Sequence, residues 1–356
     1  MKQTLTRRSF IGSSIAASFV PESLWAKTSD EIRAFLIHLG YNMWCDWFDS
    51  DVDLSSVTKG KPDVRLRATD ANWRACVDYA AKKGMNMIVI DIGEGVVWPR
   101  HPELAVEGSW SVGKLRAELE RLRGLGLEPI PKVNFSATHN GWLKQYRRML
   151  STQKYYQVAE DVLRDCWELF DRPRFIHIGC DEETPGHQHM MQTVVARKGE
   201  LWWHDLLHLV KTVERLGARA WMWSDYGWEH PDFVTRCPKS VLHNTWYYDE
   251  CYGGFDLAKN RTADHDRLKL FYTLRDNGFE QVPCGTNWVG SGRRDANAGA
   301  EDVIGGIVRL GRRDLAGRGL LGFMMAPWAA LDTPEHLDFN LHGIDLFAAA
   351  LSQKVM

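Results

Sequence analysis

The chain has 356 residues, 44% of them hydrophobic, which is enough for one large domain with a full core. Its formal net charge of −2 at pH 7 offers no basic footprint for nucleic acid or for an anionic membrane surface. The 16 tryptophans are a heavy load, and their flat, rigid faces suit both core packing and ligand pockets.

The N-terminus predicts a targeting segment. Residues 5–12, Leu-Thr-Arg-Arg-Ser-Phe-Ile-Gly, form a twin-arginine pattern that precedes an apolar stretch over residues 11–20. This stretch is well short of the ~20 residues that span a bilayer, and Ala26 offers a cleavage site. We expect a signal peptide over residues 1–27, a folded domain over residues 28–356, the twin-arginine translocase as a partner during export, and a periplasmic or otherwise exported protein.

Seven cysteines are scattered through the chain without CxxC spacing, which argues against a disulfide scaffold or a zinc site. Because twin-arginine export carries proteins that have already folded in the cytoplasm, we expect reduced cysteines. One bridge in the loops around Cys45 or Cys251 stays open.

Short apolar runs alternate with longer amphipathic segments. The predicted strands cover residues 34–39, 86–91, 129–134, 175–180, 218–224, 240–246, 281–286 and 320–326. The predicted helices lie near residues 70–83, 113–124, 154–170, 196–216, 229–236, 263–277, 300–314 and 336–352. Asp70 is expected to cap the first helix, and Gly84 and Gly124 to end the first two. Eight strand–helix units predict an α/β fold, a single-domain (β/α)8 TIM barrel, with an open doubly wound sheet as the alternative.

The predicted loops differ between the two ends of this barrel. Helix-to-strand connections are short, whereas strand-to-helix connections are long and rich in acidic and aromatic residues. The ends of the strands carry carboxylates, amides and indoles: Asp91, Asn134, Asp181, Glu182, Asp225, Trp246, Asn287, Trp288 and Trp328. Since a barrel places its active site at this end, we expect a site for a polyhydroxylated ligand with one apolar face.

Residues 175–183, Phe-Ile-His-Ile-Gly-Cys-Asp-Glu-Glu, form an apolar run that ends in three consecutive carboxylates. Because neighbouring side chains of a strand alternate faces, Asp181 continues the parity of His177, which we assign to the barrel interior, and Glu182 is expected at the rim. Crowding of acids raises the pKa of one of them, which suits a general acid near neutral pH. Alternatively, these acids cap the following helix or solvate a loop.

Residues 175–182 resemble the His-x-Gly-Gly-Asp-Glu signature of family 20 glycoside hydrolases, the β-N-acetylhexosaminidases. The resemblance extends back to residues 98–104, Trp-Pro-Arg-His-Pro-Glu-Leu, and to residues 130–134, Ile-Pro-Lys-Val-Asn, followed by His139. Forward it includes residues 221–225, 244–246 and 322–328. It implies a (β/α)8 barrel that cleaves a terminal sugar with retention, the substrate's own 2-acetamido oxygen attacking the anomeric carbon.

The resemblance also implies roles for single residues. Glu182 would be the acid/base, and Asp181 would orient the acetamido group and stabilise the charge on its nitrogen. Asn134 and His139 stand where the family has Asp and His supporting the acid. Indoles would wall the sugar pocket, at Trp246 and Trp328. The implied partner is an oligosaccharide or glycoconjugate, and no cofactor or metal is implied.

Other family positions differ. The Arg after strand one is replaced by Tyr41-Asn-Met-Trp, and the Trp-x-Glu near strand eight reads Trp328-Ala-Ala. The seventh-strand Tyr has no clear match, with Tyr247 or Tyr248 as candidates, and the third-strand Asp is Asn134. The resemblance therefore does not fix the terminal sugar. Replacement contacts, or merely ordinary loop charges, are offered by Asp49, Asp51, Glu94 and Arg100.

Two alternatives to this exported exo-glycosidase stay open. A metal-dependent barrel hydrolase would use histidines of three strands together with nearby acids, namely His38, His177, His243, Asp225 and Glu182, although no His-x-His follows strand one. A non-catalytic barrel that binds glycan would fit the altered pocket. The sequence predicts neither the linkage nor the oligomeric state.

Overall fold

The computed structural model describes residues 31–46, 61–189, 191–248, 263–288 and 300–353. The predicted signal peptide lies outside these residues, as do Asp49, Asp51 and Cys251. Within them, eight parallel strands alternate with helices in a (β/α)8 barrel, which confirms the predicted fold class.

The strands follow one another around the barrel in the order β6-β5-β4-β3-β2-β1-β8-β7. Single parallel bridges between Trp246 and Cys284, and between His243 and Gln281, join β6 to β7 and close the cylinder, so the open-sheet alternative does not apply. The strands are β1 (Ile32–His38), β2 (Met87–Asp91), β3 (Glu128–Lys132), β4 (Phe175–His177), β5 (Arg219–Trp223), β6 (Leu242–Asn244), β7 (Cys284–Gly285) and β8 (Gly322–Met325).

Eight helices surround the strands in the described part of the chain. They are α1 (Asp70–Lys82), α2 (Val112–Gly124), α3 (Gln153–Leu169), α4 (Glu200–Arg215), α5 (Phe233–Arg236), α6 (Ala263–Asp276), α7 (Ala300–Leu310) and α8 (Pro334–Ser352). The N-cap of α1 is Thr69 rather than the predicted Asp70: the Thr69 hydroxyl accepts the Asn72 amide, and Asp70 occupies the first turn. None of these helices is long and apolar enough to cross a membrane.

Alternation along the strands builds two separate apolar clusters. In β1, Phe35 and Ile37 face outward to the helices, while Ala34 and Leu36 fill the cylinder together with Met87 of β2. Towards the carboxyl ends this inner filling becomes polar, because buried polar side chains occupy one level of the sheet: His38, Asp91, Lys132 and His177, which the strand register places side by side. The site is built on this layer.

All six cysteines in the described part of the chain are free, and five of them are buried. They pack as small hydrophobic side chains.

Candidate active site

The polar layer beneath the barrel mouth is an ion-paired cluster. Lys132, fully buried on β3, donates to Asp91 Oδ2 at 2.6 Å, and His38 Nδ1 lies 3.4 Å from the same oxygen. Burial by itself raises the pKa of Asp91, but the Lys132 charge and the contact with His38 together outweigh it and lower that pKa. Burial lowers the pKa of His38, which favours a neutral ring. Asp91 therefore lies under the mouth, held by Lys132, rather than in the open cleft.

A second buried pair continues this layer. The Gly179 amide donates to His177 Nδ1 at 3.1 Å, so His177 carries its proton on Nε2, which lies 3.0 Å from Asn244 Oδ1. Burial lowers the pKa of His177 to about 3 and keeps the ring neutral. His177 thus fixes the start of the turn that follows β4.

The turn after β4 is tightly bent. Gly179, Cys180 and Glu182 all have positive φ, of 73°, 71° and 53°. Side chains rarely adopt this region, and such strain is concentrated at functional sites. A Cβ on Gly179 would lie 2.0 Å from Asn134 Oδ1, so only glycine fits there. Asn134 Oδ1 accepts the Cys180 amide at 3.2 Å, and this contact holds the turn against β3.

Asp181 is oriented by two partners from the loop after β3. Asn134 Nδ2 donates to Asp181 Oδ1 at 2.8 Å, and His139 Nδ1 lies 3.2 Å from Asp181 Oδ2. Burial would raise the pKa of Asp181, but the His139 charge and these contacts lower it well below its usual range. Asp181 is therefore a fixed anion at the mouth of the barrel.

His139 joins the two acids that the sequence singles out. Its Nε2 lies 3.3 Å from Glu182 Oε2, while its Nδ1 contacts Asp181. Burial opposes protonation, yet the Asp181 and Glu182 carboxylates outweigh it and raise the pKa of His139 to about 10. The protonated ring bridges the buried anion to Glu182, whose side chain is 29% exposed.

Asp225, at the end of β5, supports the same turn. Its Oδ2 accepts the Glu182 amide at 2.8 Å, while its Oδ1 is buried without a hydrogen bond among the described residues. Burial and the neighbouring charge of Asp181 raise the pKa of Asp225 to about 8. Near neutral pH, Asp225 thus holds a proton beside two other acids.

The third consecutive acid, Glu183, has a structural role. It pairs with Arg197 in the loop before α4, and its Oε1 accepts the Ala137 amide at 3.1 Å. Arg197 also donates to Asp205 of α4 at 3.0 Å. This buried bridge ties the β4 turn to the β3 loop and to α4, so the three acids divide between the cleft and its support.

Aromatic rings enclose the cleft on the side of β1, β6 and β8. The ring of Trp328 lies 6.1 Å from Trp44 and 5.5 Å from Trp223, and Trp44 lies 6.1 Å from the His139 ring. Trp328 Nε1 donates to the Tyr248 hydroxyl at 3.3 Å. Tyr248 lies 4.7 Å from Trp246, so the expected indoles Trp246 and Trp328 belong to one continuous wall.

Sequence reasoning did not select two members of this wall, Tyr41 and Trp44. Tyr41 and Trp44 lie 5.0 Å apart, and the Tyr41 hydroxyl donates to the Trp328 carbonyl at 2.9 Å. Their position directly after β1 was the available signal. Tyr248, one of the two tyrosines that the sequence offered, also belongs to the wall. Strand parity from Asn244 through Trp246 leads to Tyr248, whereas Tyr247 is buried in the outer core.

Other expected contacts lie elsewhere. Asn287 is buried and donates to the Phe339 carbonyl of α8 at 2.8 Å, so it faces the helix layer. Trp288 is partly buried, and its amide donates to the Thr286 hydroxyl. Glu94 accepts the Tyr41 amide and holds the loop after β1, and Arg100 pairs with Asp165 of α3. Burial raises the pKa of Glu94 to about 7.

The histidines proposed as metal ligands do not converge. His38 lies beside Asp91 and His177 beside Asn244, whereas His243 faces outward, between the rings of Phe233 and Phe279. Across the described residues, no group of three or more His, Cys, Asp or Glu side chains is arranged to hold a metal ion.

Solved structures with a similar fold are family 20 glycoside hydrolases. The exo-β-N-acetylglucosaminidase of Vibrio harveyi, in complex with N-acetylglucosamine, is 13% identical with a TM-score of 0.59 over 89% of this chain and 54% of that one. The β-N-acetylhexosaminidase of Bacteroides fragilis is 14% identical, with a TM-score of 0.57 over 87% and 65%. That of Streptomyces coelicolor is 14% identical, with a TM-score of 0.59 over 90% and 63%.

This chain thus spans between about half and two thirds of the length of these three enzymes. At such identities the likeness shows the fold, in agreement with the fold that the sequence resemblance implies. No protein-family model matches the chain, and no curated protein matches it.

Proposed function

We propose that the protein is an exo-acting glycoside hydrolase that removes a terminal 2-acetamido sugar by retaining, substrate-assisted catalysis. The observation that carries the proposal is the bridge of His139 between Asp181 and Glu182 beside an aromatic wall. A fixed anion, a partly exposed acid and flat apolar faces are what cleavage of an acetamido sugar needs.

In the first step, Glu182 gives its proton to the glycosidic oxygen while the bond from that oxygen to the anomeric carbon breaks. The substrate's acetamido oxygen bonds to the same carbon and forms a cyclic oxazolinium ion. Asp181 accepts a hydrogen bond from the acetamido N–H and balances the positive charge. The low pKa of Asp181 supports this role because the group must be ionised.

In the second step, water adds to the anomeric carbon and gives a proton to the Glu182 carboxylate as the bond to the acetamido oxygen breaks. The product keeps its anomeric configuration, and Glu182 regains the proton it gave away. His139 lies against both acids and is expected to hold them at a fixed separation in both steps. No cofactor is required.

The test is a panel of aryl β-glycosides and natural glycans, with and without the 2-acetamido group. We expect the wild type to turn over acetamido sugars, and Glu182→Gln to lose at least about 100-fold in kcat while still binding them. Activity confined to sugars without the acetamido group would contradict the substrate-assisted mechanism. Binding without turnover by the wild type across the panel would favour a glycan-binding barrel instead.

A further inference from the structure

We propose that His187 is a positioning residue for Glu182, holding the acid/base toward the side of the cleft from which the leaving group departs. The proposal rests on the proposed function. Two histidines contact Glu182 from different sides: His139 from inside the protein and His187 from the solvent side.

Both carboxylate oxygens of Glu182 face an imidazole. Oε2 lies 3.3 Å from His139 Nε2, and Oε1 lies 3.4 Å from His187 Nε2. The His139 side chain is 2% exposed and the His187 side chain 47% exposed. Catalytic hydrogen bonds of this length commonly tighten in the complex with substrate. The two rings therefore fix the plane of the carboxylate from opposite sides.

The orientation of the His187 ring is set by its own turn. Thr184 Oγ1 lies 2.7 Å from His187 Nδ1 and accepts the His187 amide at 3.4 Å. The hydroxyl can accept from the amide and donate its own proton to Nδ1 at the same time, and the proposal rests on this arrangement. The ring proton then belongs on Nε2, the atom that faces Glu182.

The turn that carries His187 is braced by a buried side chain. Gln188 Nε2 donates to the Thr184 carbonyl at 3.2 Å and to the Val195 carbonyl at 2.8 Å, while Gln188 Oε1 accepts the Val195 amide. Gln188 is 1% exposed. His187 is therefore held on a closed turn next to the cleft, which distinguishes it from an ordinary surface histidine.

This position has a kinetic consequence. Orienting the general acid matters most when the leaving group is a poor one, because its oxygen must then be protonated as the bond breaks. An activated phenol leaves without that help. Loss of His187 should therefore slow natural glycosides and spare activated aryl glycosides.

The experiment compares His187→Ala with the wild type on two acetamido sugars, one with a dinitrophenyl and one with an alkyl leaving group. We expect kcat for the alkyl glycoside to fall about tenfold with KM little changed, and kcat/KM for the dinitrophenyl glycoside, which reports the breaking of the glycosidic bond, to stay within about twofold. His187→Gln keeps an N–H donor and should recover part of the loss. His189→Ala is the matched control, since His189 lies on the same turn, is exposed and contacts only the Gly186 carbonyl among the described residues.

Equal losses on both substrates, or none, would overturn the positioning role and leave the glycosidase proposal intact. A wild type that turns over neither substrate would defeat both. A readout that needs no turnover is the nitrogen NMR spectrum of His187. We expect the Nε2–H tautomer in the wild type and altered Nε2 signals in Glu182→Gln. An unaltered spectrum in that variant would show that His187 does not contact Glu182.

Discussion

Two acid clusters lie at the same end of the barrel, a few residues apart along their strands, and they are built differently. Below the mouth, Asp91 meets the ammonium of Lys132 and the ring of His38, and all three are almost fully buried. At the mouth, Asp181 and Glu182 face one protonated ring, that of His139, and Asp225 lies beside these two acids.

The difference lies in the balance of charge. A buried acid with one close cation is satisfied, and removal of either partner leaves an uncompensated charge. The cluster at the mouth has more acids than cations, and the pKa values of its acids differ widely: His139 lowers the pKa of Asp181 against the effect of burial, while burial and the charge of Asp181 raise the pKa of Asp225 to about 8. Surplus charge with separated pKa values is typical of a site that handles protons.

The largest expected effect comes from the same substitution in both clusters. Asp91→Asn leaves Lys132 buried without an anion, and we expect the free energy of unfolding to fall by about 3–5 kcal/mol. Asp181→Asn still leaves Glu182 as a counter-ion for His139, so we expect a smaller loss of stability, of about 1–2 kcal/mol, while turnover of acetamido sugars falls roughly 100-fold. Denaturant unfolding and steady-state kinetics on both variants measure the two effects.

A small loss of stability with Asp91→Asn and a large one with Asp181→Asn would contradict this comparison of the two clusters. Asp91→Leu combined with Lys132→Met provides a control that does not depend on the yield of folded Asp91→Asn. This pair removes both charges together and should recover much of the lost stability.

The second effect is a pH dependence of stability that belongs to the mouth alone. The pKa of His139 is raised in the folded protein, so its stabilising contribution is complete below pH 6.5 and is lost as the pH rises towards about 10. One such proton changes the free energy of unfolding by about 1.4 kcal/mol per pH unit. The raised pKa of Asp225 likewise makes the folded protein less stable as the pH rises, up to about pH 8.

Between pH 8 and 10, therefore, the wild type should lose stability more steeply than His139→Gln. Chemical denaturation at each pH gives the two slopes. Parallel slopes would mean that His139 is not held protonated by its two acids.

The smallest effect separates two adjacent tyrosines. Tyr248→Phe removes the acceptor for Trp328 Nε1 in the wall of the cleft, and we expect KM for acetamido sugars to rise about fivefold, equivalent to roughly 1 kcal/mol. Tyr247→Phe acts in the outer core, so we expect KM to stay constant. A change of KM with Tyr247→Phe and none with Tyr248→Phe would reverse this assignment of the pocket wall.

Hydrophobic periodicity predicted the fold because each strand and helix carries its own pattern. The helix predicted at 113–124 lies at Val112–Gly124, and the strand predicted at 86–91 lies at Met87–Asp91. Periodicity overestimated the later strands: the segment predicted at 281–286 forms a continuous ladder only over Cys284–Gly285, with isolated bridges at Gln281. Extended residues beyond the paired part of a strand have the same hydrophobic pattern as the paired residues, so the sequence does not separate them.

The candidate site was predicted less completely because its chemistry depends on partners distant in sequence. The pair Asp181 and Glu182 could be identified from one segment. The ion pair between Asp91 and Lys132 could not be identified in this way, because it depends on the register of two strands. Alternation continued from β6 through Trp246 would have chosen Tyr248 over Tyr247. Alternation fails for Asn287, which turns toward α8 beyond the end of β7.

Gly179 packs against Asn134 with no space for a side chain, and Asn134 in turn holds Asp181. A single methyl group at position 179 would push Asn134 away and release the anion it orients. The site can thus lose its function without a change in any charge, any ring or any residue that a sugar would touch.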